Sequence, residues 1–112
     1  MTPLRSSKEM YNQLMDINKE AFEQEHYEVA YHALAAALHC ALLLEKQAVL
    51  IALEQRAREQ RDWIDASASQ HPLSSQSASL HGHMSVYTSL LKQIQTRELM
   101  QRHPPHQSFP EA

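Results

Sequence analysis

The chain has 112 residues, a formal charge of −3 and a single glycine, Gly82. More than half of the residues are good helix formers and only ten are Val, Ile or Thr, so the composition predicts an all-α fold. One glycine cannot build a phosphate-cradling loop or a dinucleotide fingerprint, and the slight acidity lacks the basic excess of a general nucleic-acid binder.

The length fits one small domain with one core. Protonating all eight histidines would carry the charge from −3 to about +5, which makes the surface field unusually sensitive to pH. The lone Cys40 allows no intrachain disulfide and suits a reducing, cytoplasmic setting. The first residues contain no apolar signal segment. The uncharged apolar run over residues 29–44 is short for a membrane span and carries His32 and His39. No membrane or nucleic-acid partner is therefore expected.

A first helix is predicted over residues 7–24. Ser6 and Glu9 have capping-box spacing, and Met10, Leu14, Ile17 and Ala21 form a 3.6-residue stripe, widened by Tyr11, Met15 and Phe22. The second helix, over 28–43, is apolar almost all the way round and should be the most buried. Its polar line is Glu28, His32, His39 and Lys46. No glycine or proline separates it from the next segment, so residues 28–65 read as one long helix or as two. A change of apolar face near residue 45 favours two, with a third helix over 46–65. That helix carries Val49, Leu50, Leu53, Ala57 and Ile64 on one face. Glu54–Arg58, Arg58–Asp62 and Arg61–Asp65 are spaced i,i+4 for ion pairs.

Residues 66–76 are rich in serine and small residues and predict a loop. A fourth helix over 77–101 follows from the stripe Leu80, Met84, Tyr87, Leu91 and Ile94; Gly82 inside it marks a close contact or a later start. Residues 1–102 thus form one helical domain, and 103–112, with three prolines, predict a disordered tail.

Residues 14–42 resemble one tetratricopeptide repeat. Glu25-His26-Tyr27-Glu28-Val29-Ala30 occupies the position of that family's turn and second-helix start. Ala30, Leu34, Ala37 and Leu38 match its small-and-large packing series, and Leu14 and Ile17 take its large apolar positions. Glu25 and Asn18 stand where the family places glycines, Leu42 where it closes on proline, and no second repeat follows. The resemblance implies an antiparallel helical hairpin and protein or peptide binding rather than catalysis. It implies no ligand-clamping residues, because the matched positions are packing positions.

The expected architecture is a small bundle of four helices around that hairpin, and the expected function is a non-enzymatic interaction or regulatory module without cofactor. Its partner is another protein or peptide, and a homodimer would help to cover so apolar a second helix. His32, His39 and Trp63 are the candidate partner-binding residues. The alternative is a His-based metal-binding bundle using Glu28, His32 and His39, although the usual His-Glu-x-x-His spacing is absent. His81 and His83 fall on opposite sides of a helix and chelate only from extended chain, and His103 and His106 lie in the tail. His81-Gly82-His83 lacks the flanking pattern of a phosphotransfer helix. Cys40, within an apolar run, reads as a buried inert thiol. Trp63 reads as core packing or as an exposed anchor.

Overall fold

In the computed structural model of the chain, residues 6–102 are described. The expected tail, 103–112, lies outside them. Five helices follow one another: α1 (Ser7–Glu23), α2 (Tyr27–Leu44), α3 (Gln47–Ser67), α4 (Ser75–Leu80) and α5 (Val86–Arg102). No strand occurs among the described residues, so the chain is all-α. α1 packs on α2 as a hairpin, α5 packs on α3, and α2 joins the two pairs by touching both α3 and α5.

The capping box forms as the spacing predicts. Glu9 N–H donates to Ser6 Oγ and Ser6 N–H to Glu9 Oε1, each at 3.1 Å. α1 ends with Glu25 in the left-handed region, φ 64°. Glu25 N–H donates to the Phe22 carbonyl at 3.0 Å and His26 N–H to the Ala21 carbonyl at 2.8 Å, a Schellman closure. α2 ends the same way in conformation, on Glu45 with φ 53°. The chain therefore breaks between α2 and α3, as the change of apolar face predicts.

α2 is the central helix. Ala30, Leu34, Ala37 and Ala41 are fully buried, and Cys40 is buried with them. By length and composition alone α2 could cross a membrane, but its fully buried side chains are those of a core helix. The α3 stripe is buried at Leu50, Leu53, Ala57 and Ile64. Of the three expected α3 ion pairs only Arg58–Glu54 forms, at 2.6 Å. Arg61 turns to its neighbour Asp62. Asp65 instead accepts from the backbone N–H and hydroxyl of Ser75, at 2.8 and 2.7 Å.

Two expectations are corrected. The face of α1 that enters the core is Tyr11, Met15, Asn18 and Ala21, whereas Met10 and Ile17 stay exposed. Helix 77–101 is two helices. α4 starts at Ser75, where the Ser74 hydroxyl accepts the Ser77 N–H, and closes on Gly82 at φ 77°. Gly82 N–H donates to the Ser79 carbonyl and His83 N–H to that of Ala78. A new cap follows, in which Ser85 Oγ accepts from Thr88 N–H. Leu80 and Met84, on the two sides of this turn, are consequently exposed, while Tyr87, Leu91 and Ile94 enter the core with Leu90. The serine-rich segment before α4 is a loop, as expected, and it is tied down at its end. Asp65 holds Ser75, and Ser74 Oγ donates to the Ser69 carbonyl at 2.5 Å.

Candidate interaction surfaces

A buried polar network holds the helices that present the surface. Asn18 on α1 is fully buried and Gln60 on α3 nearly so. Their amides pair reciprocally: Gln60 Nε2 donates to Asn18 Oδ1 at 2.7 Å and Asn18 Nδ2 to Gln60 Oε1 at 2.9 Å. Asn18 Nδ2 also reaches the Ala30 carbonyl of α2 at 2.7 Å. Tyr87 of α5 donates to Gln60 Oε1 at 2.9 Å. Arg56 donates to Asn18 Oδ1 and to the Met15 carbonyl. Among the described residues no buried side-chain N or O lacks a partner, so the network costs no unpaired polar atom. Burial holds the Tyr87 hydroxyl well above the usual phenol range, so it remains a proton donor.

Composition and stripe periodicity alone do not reveal this network. A signal was present: Asn18 stands between Met15 and Phe22, and Gln60 between Ala57 and Ile64, both at core-stripe spacing. Polar residues at such positions mark buried hydrogen bonding when they pair across helices.

At the end of the bundle where α1 finishes and α2 begins, aromatic rings cluster. Phe22 lies 5.1 Å from Tyr27, and Trp63 lies 5.7 and 5.9 Å from these two rings. His71 stands edge-on to Tyr27 at 5.0 Å. Trp63 joins the two expected roles, since one side packs on Phe22 and Tyr27 while 46% of its surface stays open.

Glu28, His32 and His39 are all exposed along the outer edge of α2, as their spacing predicts. His32 leans on Tyr31, with ring centroids 5.1 Å apart. Trp63 is on α3 and belongs to the aromatic cluster, so no described contact links it to the two histidines. Among the described residues no three His, Cys, Asp or Glu side chains converge in a way that could hold a metal. His81 and His83 stack at 6.3 Å across the Gly82 turn, and each Nδ1 is engaged with a carbonyl oxygen.

The α1–α2 hairpin has a second, outward apolar face. Met10, Leu14 and Ile17 run along α1 and line a groove with Gln13. Ile17 and Val29 line one depression across the two helices, and Val29, Ala36 and Leu43 continue the stripe at seven-residue intervals. Met10, Ile17, Val29 and Leu43 are 39, 45, 52 and 71% exposed.

A carboxyl pair joins α3 to α5. Glu98 is buried. Burial, and then its hydrogen bond and charge repulsion with Glu54, raise its carboxyl to about 7. Burial also pulls Glu54 upward, but hydrogen bonds with Glu98, Gln95 and Arg58 outweigh it and hold that carboxyl low.

Comparison with protein-family models, curated proteins and solved structures finds no match to this chain.

Proposed function

We propose that the protein is a non-enzymatic helical interaction module that pairs with a second copy of itself through the outer face of the α1–α2 hairpin. The observation that carries this reading is that Met10, Ile17, Val29 and Leu43, four large apolar side chains, are left open on that face. Both flanks favour self-pairing. Exposed Asp16 and Glu20 border the stripe on α1, and exposed His32 and His39 border it on α2, with Glu28 at the start of the same line. A two-fold copy sets the acidic flank of each hairpin against the imidazole flank of the other. The tetratricopeptide likeness supports a binding role for the hairpin. Glu25 holds the left-handed turn conformation where that family has glycine, and Asn18, at the other glycine position, ties α1 to α2 through the Ala30 carbonyl. The metal-binding alternative has no converging ligand set among the described residues to support it.

Sedimentation velocity over a wide concentration range tests the reading, comparing the native chain with the double variant Ile17→Glu, Val29→Glu. The native chain moves from monomer to dimer as concentration rises. The variant stays monomeric, with unchanged helicity, because both positions are open to solvent. A native chain that is monomeric throughout, or a variant that dimerises equally well, overturns the reading.

A further inference from the structure

A second open surface lies between α2 and α5 and meets the hairpin's outer face only at His39. These helices touch lightly, and beside their contact a groove of about 530 Å³ opens. Leu38 and Leu42 of α2 and Met100 of α5 supply its apolar surface, and His39, Lys92 and Arg97 are its cationic or ionisable residues. No Asp or Glu lines it. Among the described residues, ion pairs occur only on α3, so Lys92 and Arg97 have no carboxylate of their own. Glu98, the one acidic residue of α5, is buried and turned to Glu54 of α3. In a chain of net charge −3 this groove is a local positive field over an apolar surface.

The shape specifies the ligand further. The groove follows α5 from Ser89 to Met100, about 16 Å at the rise of an α-helix, or three turns of a partner. It is open and shallow rather than enclosed, which suits an element laid along it. Met100 is unbranched and adapts to the side chains set against it. We infer that the α2–α5 groove docks an acidic amphipathic helix of a partner protein. The apolar edge of that helix rests on Leu38, Leu42 and Met100, and its carboxylates meet Lys92 and Arg97. Apart from His39, which also borders the hairpin face, this site shares no named residue with that face, and it does not depend on self-pairing.

Fluorescence anisotropy tests the assignment with two labelled synthetic helical peptides. Both carry leucine at i, i+3, i+4 and i+7; one is flanked by glutamate and the other by lysine at the same positions. The full chain binds the glutamate peptide saturably and the lysine peptide at least tenfold more weakly. The double variant Lys92→Glu, Arg97→Glu, at two exposed positions, reverses that order. Met100→Asp weakens the glutamate peptide further than charge reversal at a distant exposed lysine, Lys19→Glu. The Ile17→Glu, Val29→Glu protein binds the glutamate peptide like the native chain, which separates this site from the hairpin face. Absence of saturable binding, equal affinity for the two peptides, or an unchanged preference in the charge-reversed variant overturns the inference. Loss of a native dimer in the charge-reversed variant also overturns it, because the groove would then be a contact between copies.

Discussion

Asn18 does the work of several residues. Its amide contacts Gln60, Arg56 and the Ala30 carbonyl, so one short side chain on α1 fixes its register on α2 and α3 together. Removing one member of a buried network leaves the others desolvated and unpaired, at about 1–3 kcal/mol for each orphaned group. Asn18→Ala strips Gln60 Nε2 of its acceptor and the Ala30 carbonyl of its side-chain donor. It is expected to cost about 3 kcal/mol in urea unfolding. Tyr87→Phe is expected to cost only about 1 kcal/mol, since Gln60 Oε1 keeps the Asn18 donor. If the two variants lose equal stability, the amide pair is not the centre of the network. Sequence alone places Asn18 in a helix and marks it as a departure from the family's glycine. It does not reveal the partner, which lies 42 positions away in the chain.

At the scale of elements, three helices among the described residues end on a left-handed residue, Glu25, Glu45 or Gly82, and only the last of these is glycine. A residue with a Cβ pays about 1 kcal/mol or more in that conformation. Glu25→Gly is therefore expected to stabilise the chain by about 0.5–1 kcal/mol, since it relieves the turn more than it loosens the unfolded chain. Gly82→Ala is expected to destabilise by about 1 kcal/mol. A Cβ at Gly82 would meet nothing within 4 Å, so that cost is backbone conformation alone. Thermal melts of both variants check the signs, and a stabilising Gly82→Ala would contradict the φ argument. The same residues explain which boundaries were legible. The break at Glu45 shows as a change of apolar face. The split at Gly82 shows only in the glycine itself, which marks a later start, and not in the periodicity, because Leu80 and Met84 continue the stripe into Tyr87 although both are exposed. Periodicity records which positions are apolar, and it cannot tell a covered apolar side chain from an open one.

For the molecule as a whole, the Glu54–Glu98 pair links folding to pH. Glu98 titrates near 7 in the folded chain against an ordinary 4.5. Between those values the folded chain holds a proton that the unfolded chain releases, so this contribution to stability is full below about 4.5 and is lost as pH rises through about 7. Glu54 has the opposite sign: its carboxyl is held low, so its contribution is present above its ordinary value and fades as pH falls. Glu98→Gln keeps the shape and a hydrogen-bonding end without the ionisation. Its melting temperature is expected to exceed that of the native chain by a margin that grows between about pH 5 and pH 8. A margin that is equal at both pH values would mean that Glu98 does not titrate in this window. The comparison with the variant cancels the eight histidines, which both proteins share.

Composition and local spacing sufficed for the class of fold, the Ser6–Glu9 cap, the burial of α2 and the outward line of Glu28, His32 and His39. Each of these depends on residues within a few turns of one another, where helical geometry leaves little choice. Packing settled the rest. α1 offers two apolar faces about 100° apart, Met10–Leu14–Ile17 and Tyr11–Met15–Phe22, and periodicity rates them alike. The second faces inward, where Asn18 on the same side finds Gln60 and the Ala30 carbonyl. The first is left open, and the open face of the hairpin follows from that choice between distant parts of the chain.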